Sequence, residues 1–395
     1  MTLTTKQEEG LKIALDRHKN NEKYVVISGY AGSGKTTLVK FIIEALDVDK
    51  RKVAYASFTG KAAEVLRRKG NENAMTLHKL LYDSVPRAGG GFYRIPKQVL
   101  EYTVIVVDEV SMVPKSMIDM LLRHKVFVVF LGDPGQLPMI DKNESHNLLD
   151  HPHVFLDEIM RQAAESEIIQ LTMKIRNGEE LPYMQGKEVM VIPKQELVTG
   201  HLQWADQIIC ATNATRININ NQMRSLLGFE GALPHDGEKM ICLRNYWEDI
   251  SDSGELALVN GMTGIIRNPF ETFRDAPRYV KMRNHRIPLI KGDFISEDGE
   301  QFSQVDMDKT LILTGEPFLD WRESYALGKL KMRIGDITPR AFTYGYAITC
   351  HKSQGSEWDK VLVVEEQFPF VKDEHQRWLY TACTRCSSKL VLIRS

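Results

Sequence analysis

Between Thr5 and Asn20, apolar positions at Leu11, Ile13 and Ala14 recur among charged ones, which predicts an amphipathic helix. A β-branched run, Tyr24-Val25-Val26-Ile27-Ser28, follows and ends in a glycine loop, after which a second helix is predicted over about 35–46. Lys52–Ser57 reads as a strand and Gly60–Lys69 as another helix. Thr103–Val107 and Val126–Leu131 are continuous apolar runs of five and six residues. Runs without polar alternation belong to strands buried on both faces, as in parallel sheets covered by helices. The pattern predicts a doubly wound α/β domain over about 1–150.

A second α/β set begins at Gln207-Ile208-Ile209-Cys210 and ends with the runs Val361–Val364 and Leu390–Ile393. Between them, over roughly 236–338, the period changes. Short alternating runs at Lys239–Leu243, Thr263–Arg267, Tyr279–Met282 and Thr310–Leu313 are punctuated by Asp-Gly, Asn-Gly and Gly-Asp pairs. This predicts a hairpin-rich, all-β insertion with no helix before about 320. Residues 83–95 form a Gly-rich tip flanked by short strands. No repeat of solenoid period is found, and two α/β sets of similar size suggest a duplicated architecture.

Composition narrows the class. At 395 residues, with 43% hydrophobic and 26% charged positions, the chain is neither disordered, collagen-like nor a disulfide miniprotein. Net charge is −1, yet residues 51–100 carry ten basic side chains against three acidic ones. A basic stretch in a neutral protein suits a face that touches phosphates. Five scattered cysteines do not make a disulfide framework, and Cys383-Thr384-Arg385-Cys386 has no paired partner for a metal site. The first residues lack a signal peptide's apolar core, and no apolar run approaches the ~18 residues of a membrane span. An intracellular, soluble, cytoplasmic protein without a membrane partner is expected.

Two motifs carry chemistry. Gly29-Tyr30-Ala31-Gly32-Ser33-Gly34-Lys35-Thr36 is G-x-x-x-x-G-K-T between a predicted strand and helix. In that setting backbone N–H groups curl around a β-phosphate, the lysine neutralises β- and γ-oxygens, and the threonine hydroxyl ligates Mg²⁺. Val104-Ile105-Val106-Val107-Asp108-Glu109 is an apolar strand ending in two carboxylates. Beside a phosphate loop, Asp108 is placed to hold the Mg²⁺ shell and Glu109 to polarise a water, which favours nucleotide hydrolysis.

With these motifs the chain resembles the superfamily 1 helicases of the RecD/Dda type, the 5′→3′ branch, over nearly its whole length. Thr4-Thr5-Lys6-Gln7 resembles the Q motif, Ser57 to Ala63 motif Ia, and Thr76-Leu77-His78 motif Ib. Asp108 to Met112 resembles motif II, Gly132 to Pro138 motif III, and Arg161-Gln162 motif IV. Tyr346 to Glu357 resembles motif V and Tyr380 to Arg385 motif VI, with Phe58 and Cys383 as departures that stand away from phosphate.

The resemblance implies two RecA-like P-loop NTPase domains, a small SH3-like β insertion in the second and a short hairpin insertion in the first. The expected boundaries are 1–165 for the first domain, with the hairpin at about 80–98. The second domain takes 166–235 and 338–395, and the insertion 236–337. It further implies ATP and Mg²⁺ as cofactors, with Lys35, Glu109, Gln136, Arg161 and Arg385 catalytic, the arginines as fingers on the γ-phosphate. Nucleotide contacts are expected from Gln7, Gly29, Gly32, Ser33, Gly34, Lys35, Thr36, Thr37, Asp108 and Gly355, of which Thr36 and Asp108 hold the metal. Strand contacts are expected from Thr59, Lys61, His78, Asn213, Thr349, His351 and Lys352, and from Phe92 and Tyr93 at the hairpin. The expected partners are single-stranded and forked duplex DNA and a single-strand-binding or replisome protein. The chain is expected to act as a monomer, in the host cytoplasm if phage-encoded. An RNA helicase of the same superfamily and a P-loop switch without motor action are the alternatives; a GTPase would carry Asn-Lys-x-Asp, which is absent.

Overall fold

The computed structural model describes all residues except 1–2, 87–91, 139–141, 161–163, 255, 298, 329–336, 369–370 and 395. Contacts divide the chain into two compact units: Met1–Tyr82 with Pro96–Thr212 and Thr349–Ser395, and Asp83–Ile95 with Asn213–Ile348. These boundaries differ from 235/236 and 337/338, because the helix Asn213–Leu226 on one side and the strand Phe342–Tyr344 on the other join the insertion's unit.

The first unit holds two α/β sheets. One has the order Ala74–Thr76, Val53–Ser57, Val104–Val107, Phe127–Gly132, Tyr24–Gly29, Val154–Leu156, all parallel. Its apolar runs bury alternate residues on opposite faces. Val25, Ile27, Val104, Val106 and Val129 pack against Leu38, Val39 and Ile42 of the helix Lys35–Ala45. Val26, Ala54, Ile105, Val107 and Val128 pack on the other side with Leu77, Met117 and Leu121. Each such side chain contributes roughly 1.5–3 kcal/mol on burial, so both faces stay covered, and the parallel strands all end along the same side of the sheet. The second sheet runs Gln207–Cys210, Trp358–Val364, Cys386–Arg394, Val189–Pro193, parallel, and ends on the antiparallel Met184–Gln185.

In the second unit an antiparallel sheet runs Gln301–Asp308, Arg286–Ser296, Thr263–Asp275, Lys239–Cys242, Phe342–Tyr344. Met240, Ile266, Ile290, Phe294 and Phe342 form its core. Arg224 and Glu238 make a buried bidentate pair at 2.7 and 3.1 Å, with the Arg224 guanidinium over the Tyr344 ring. Two expected strands are corrected. Thr310–Leu313 lies within the helix Lys309–Thr314, capped by Asp308, whose carboxylate accepts the Leu311 N–H, and closed by Gly315 in the left-handed region. Tyr279–Met282 is the irregular link between the two longest strands, not a strand of its own. A helix therefore precedes position 320.

All five cysteines are free and buried, and burial pushes the Cys383 and Cys386 thiols up, so they act as packing residues. At the C-terminal ends of the two central strands of the second sheet, Glu365 accepts from Arg394 at 2.9 Å and pairs with His375 at 3.1 Å. The hydrogen bond to Glu365 raises His375, so its contribution to stability is complete below about pH 6.5 and disappears as pH rises through the raised value. Burial opposes charge on Glu365, but His375 and Arg394 outweigh it and hold the carboxyl low, so its share is lost only as pH falls through that lowered value. His375→Gln is expected to cost about 1 kcal/mol at mildly acid pH and almost nothing at alkaline pH, read from denaturation midpoints. Equal losses at both would assign the effect to the ring's stacking on Trp378 instead.

Candidate active site

The strand Tyr24–Gly29 delivers its chain into a tight loop that turns through Gly32 (φ 77°) and Gly34 (φ 81°) before the helix Lys35–Ala45 begins. Both values lie in the left-handed region that glycine adopts without strain. A Cβ at Gly34 would stand 2.4 Å from Gln7 Nε2, and one at Gly29 2.9 Å from the Leu156 carbonyl. Lys35 Nζ arches back to donate to the Gly29 and Tyr30 carbonyls at 2.7 and 3.0 Å. Ser33 Oγ is buried and has no hydrogen-bond partner among the described residues, while Thr36 is exposed and Thr37 half-buried. The loop is a cradle at the positive end of a helix, shaped for an anion.

Val104–Val107 ends beside this cradle, with Asp108 and Glu109 at its tip. Glu109 has φ 52° and ψ 46°, a left-handed conformation that costs a non-glycine residue about 1 kcal/mol or more. Its N–H donates to Asp108 Oδ1 at 2.8 Å, so the strained turn holds the Asp108 carboxylate against the Glu109 backbone. Desolvation, then the neighbouring Glu109, pushes Asp108 above the usual carboxylate range, and Lys35 and Lys69 only partly offset it. A carboxyl in that position gains from an added cation.

The other wall comes from residues far along the chain but in the same unit. Arg385, 5% exposed, follows the helix Lys372–Cys383. Its guanidinium donates to the Thr381 carbonyl (3.2 Å) and Thr384 Oγ1 (3.2 Å), and Nη1 lies 3.8 Å from Glu109 Oε1. Gln136 is 7% exposed, and its Oε1 has no hydrogen-bond partner among the described residues. Its loop is gripped from the C-terminal half: Leu137 N–H donates to Thr381 Oγ1, and Gln354 Nε2 donates to the Leu137 carbonyl, each at 2.8 Å. A cavity of about 330 Å³ is lined by Gly32, Lys35, Thr36, Asp108, Glu109, Gln136, Gly355 and Arg385 together. Lys69 and Thr172 line it too and were not anticipated.

Gln7 packs beneath the glycine loop. It is fully buried, its Oε1 accepts the Thr4 N–H at 3.0 Å, and its Nε2 donates to the Gly34 carbonyl at 3.3 Å. The amide thus caps the first helix and braces the glycine loop, and it is not a wall of the cavity. Arg161 lies outside the described residues. Thr59 caps the helix Gly60–Arg68 through its hydroxyl, with Lys61 half-buried in the first turn. Gly355 (φ 74°) packs on this helix start, where a Cβ would lie 2.8 Å from Thr59 Oγ1. The His78 ring sits between Phe58 and Tyr82, centroids 5.8 and 6.1 Å away. Thr349, His351 and Lys352 open the short helix Cys350–Ser353, and burial, then Lys352, lowers His351 below its ordinary value. Asn213 begins its helix in the second unit, where Oδ1 accepts from Arg216 Nε at 3.1 Å. Phe92 and Tyr93 stand on the strand Phe92–Pro96, and their side chains lie outside the described ones.

Residues 2–192 match the family model described as an AAA domain, and residues 344–393 match that of a UvrD-like helicase C-terminal domain. An uncharacterized mimivirus protein, R530, is 24% identical, with 94% of this chain and 96% of that protein covered. The ATP-dependent RecD2 DNA helicase of Deinococcus radiodurans is 25% identical across 93% of this chain, which spans 46% of that protein's length. The phage T4 ATP-dependent DNA helicase dda is 28% identical over 45% of this chain and 43% of its own. Among solved structures, a Bacteroides Pif1 helicase in complex with ADP-AlF3 and ssDNA matches with a TM-score of 0.52 at 20% identity, covering 99% of this chain and 92% of that one. That likeness establishes the two-domain α/β fold. No helix among the described residues is long and apolar enough to cross a membrane.

Proposed function

We propose that this chain, a member of the superfamily 1 helicases, is an ATP-dependent DNA helicase that moves 5′→3′ along one strand and separates the duplex ahead. The observation that carries the reading is the convergence of Lys35, Glu109 and Arg385 on one cavity, with Arg385 Nη1 3.8 Å from Glu109 Oε1. A base from the first sheet and a cation from the second meet only where the two sheets close together. Hydrolysis coupled to such closure is how a nucleotide drives motion along a track.

The residues fit a nucleotide with Mg²⁺. The glycine cradle leaves room where a Cβ would intrude, the orphaned Ser33 hydroxyl can donate to a phosphate oxygen, and the orphaned Gln136 Oε1 can accept from a water. Thr36 and the desolvated Asp108 would hold the ion, which when bound neutralises charge between the β- and γ-phosphates. Lys35, released from the Gly29 and Tyr30 carbonyls, pairs with phosphate oxygens. Glu109 orients a water and takes up its proton, Arg385 stabilises charge developing on the γ-phosphate, and Gln136 reports its presence to the loop Asp133–Leu137. Arg161 is proposed as the second finger. Phosphates of the strand are met by Thr59, Lys61, Thr349 and Lys352, at helix starts on the first unit, with Asn213 and the hairpin aromatics adding contacts. The chain acts as a monomer on single-stranded and forked DNA, with a single-strand-binding or replisome protein as its partner.

Unwinding of matched 5′-tailed and 3′-tailed duplexes with ATP tests the reading, with a 5′-tailed RNA duplex as the third arm. The expected outcome is separation of the 5′-tailed DNA alone. Preference for the 3′ tail would overturn the polarity, and RNA unwound as fast as DNA would overturn the substrate.

A further inference from the structure

Two side chains from helices packed on the second sheet reach the first turn of the glycine loop. The Tyr380 hydroxyl accepts the Ala31 N–H at 3.0 Å and donates to Asp133 Oδ2 at 2.7 Å. The Arg176 guanidinium lies over the Tyr30 ring, 3.8 Å from its centroid. Tyr380 and Asp133 are each 2% exposed. Their supports are joined, since Gln376 Nε2, on the helix of Tyr380, donates at 2.7 Å to the carbonyl of Ile175, the neighbour of Arg176. Asp133 Oδ1 in turn accepts the Gly135 N–H at 2.8 Å, which shapes the turn presenting Gln136. The Tyr380 ring lies against that turn so closely that a Cβ at Gly135 would stand 3.0 Å from Cε1.

We propose that Tyr380 and Arg176 are positioning residues, forming a clamp that ties seating of the second sheet's helices on the phosphate loop to the placement of Gln136. The proposal rests on the ATPase reading and deepens it. One hydroxyl oxygen bonds both the phosphate loop and the loop of Gln136, and hydrogen bonds weaken steeply with distance and angle. Withdrawal of the helix Lys372–Cys383 therefore breaks both contacts together. The guanidinium–ring contact is broad and tolerates sliding, so it guides the approach while the hydroxyl registers arrival. Burial, then the charge of Asp133, holds the Tyr380 phenol well above its ordinary value, so it stays a donor at any working pH. Without that donor Asp133 keeps a buried carboxylate oxygen unpaired, and the loop of Gln136 loses its reason to sit where it does.

Tyr380→Phe keeps the ring and removes the hydroxyl. The test measures strand-stimulated ATP turnover and, with a fluorescent ADP competed by ADP alone or by ADP with aluminium fluoride, the preference for the transition-state mimic. In the variant, kcat and that preference are expected to fall together by roughly ten- to a hundredfold, the range for a broken buried donor–acceptor pair. KM for ATP and affinity for ADP should stay within about twofold, because the phosphate loop itself is intact. Arg176 is half-buried, so Arg176→Met serves as a second variant and should show the same split with a smaller loss, even if Tyr380→Phe fails to fold. Wild-type protein without ATP turnover would sink the helicase reading and the clamp with it. Turnover in the wild type and unchanged turnover in both variants would sink the clamp alone, as would ADP affinity lost in proportion to kcat.

Discussion

Glu109→Gln is expected to leave ATP bound and to slow its hydrolysis by roughly 10²–10⁴-fold, the worth of a positioned general base. The substitution is nearly isosteric and keeps the strained left-handed turn at φ 52°, so the loop should hold its shape. What it removes is the proton acceptor, and with it the negative partner 3.8 Å from Arg385. It also removes the charge that helps push Asp108 upward, so Asp108 ionises more readily and magnesium affinity should not fall. ATP binding by a fluorescent analogue, set beside single-turnover hydrolysis, separates the two effects. Turnover near the wild-type rate would mean that another group activates the water.

Arg385→Ala carries the second large effect, a loss of turnover of roughly 10³-fold or more, in the range for arginine fingers in phosphoryl transfer. Its guanidinium is almost fully buried, yet three of its contacts are to neutral oxygens of its own neighbourhood: the Thr381 and Ser356 carbonyls and Thr384 Oγ1. Such a charge is aimed at something else, and the cavity it lines supplies the place. ATP binding without DNA should fall less than tenfold, because the finger acts on charge that develops only in the transition state. Arg385→Lys should recover little, since an ammonium cannot reproduce the planar fork. Binding and turnover lost in equal measure would instead make Arg385 a ground-state ligand. A stability loss seen in a thermal melt, with turnover per folded molecule preserved, would make it structural.

Local chemistry was legible in the chain. The glycine cradle, Lys35, Thr36 and the Asp108-Glu109 strand end occupy contiguous residues, and the apolar strand runs beside them have a periodicity that physics reads directly. The helix Lys309–Thr314 was misread because a run of four residues is too short to separate a period of two from one of 3.6. The Asp308 cap and Gly315 stop were present as signals, but hairpin punctuation around them outweighed both. The nucleotide contact expected of Gln7 rests on its motif; folding adds that its amide joins the Thr4 cap to the Gly34 carbonyl.

What folding alone decided is the meeting of distant residues. Tyr380 stands in the string Tyr380 to Arg385, but nothing in that string says that its hydroxyl touches Ala31, 349 residues away. The same holds for Arg176 over Tyr30 and for Arg385 beside Glu109. Side-chain type and spacing determine what a segment can do by itself, because helix, strand and turn preferences are set by near neighbours. Which two segments share a cavity is set by how the sheets bury their faces, a property of the whole chain that no short stretch contains.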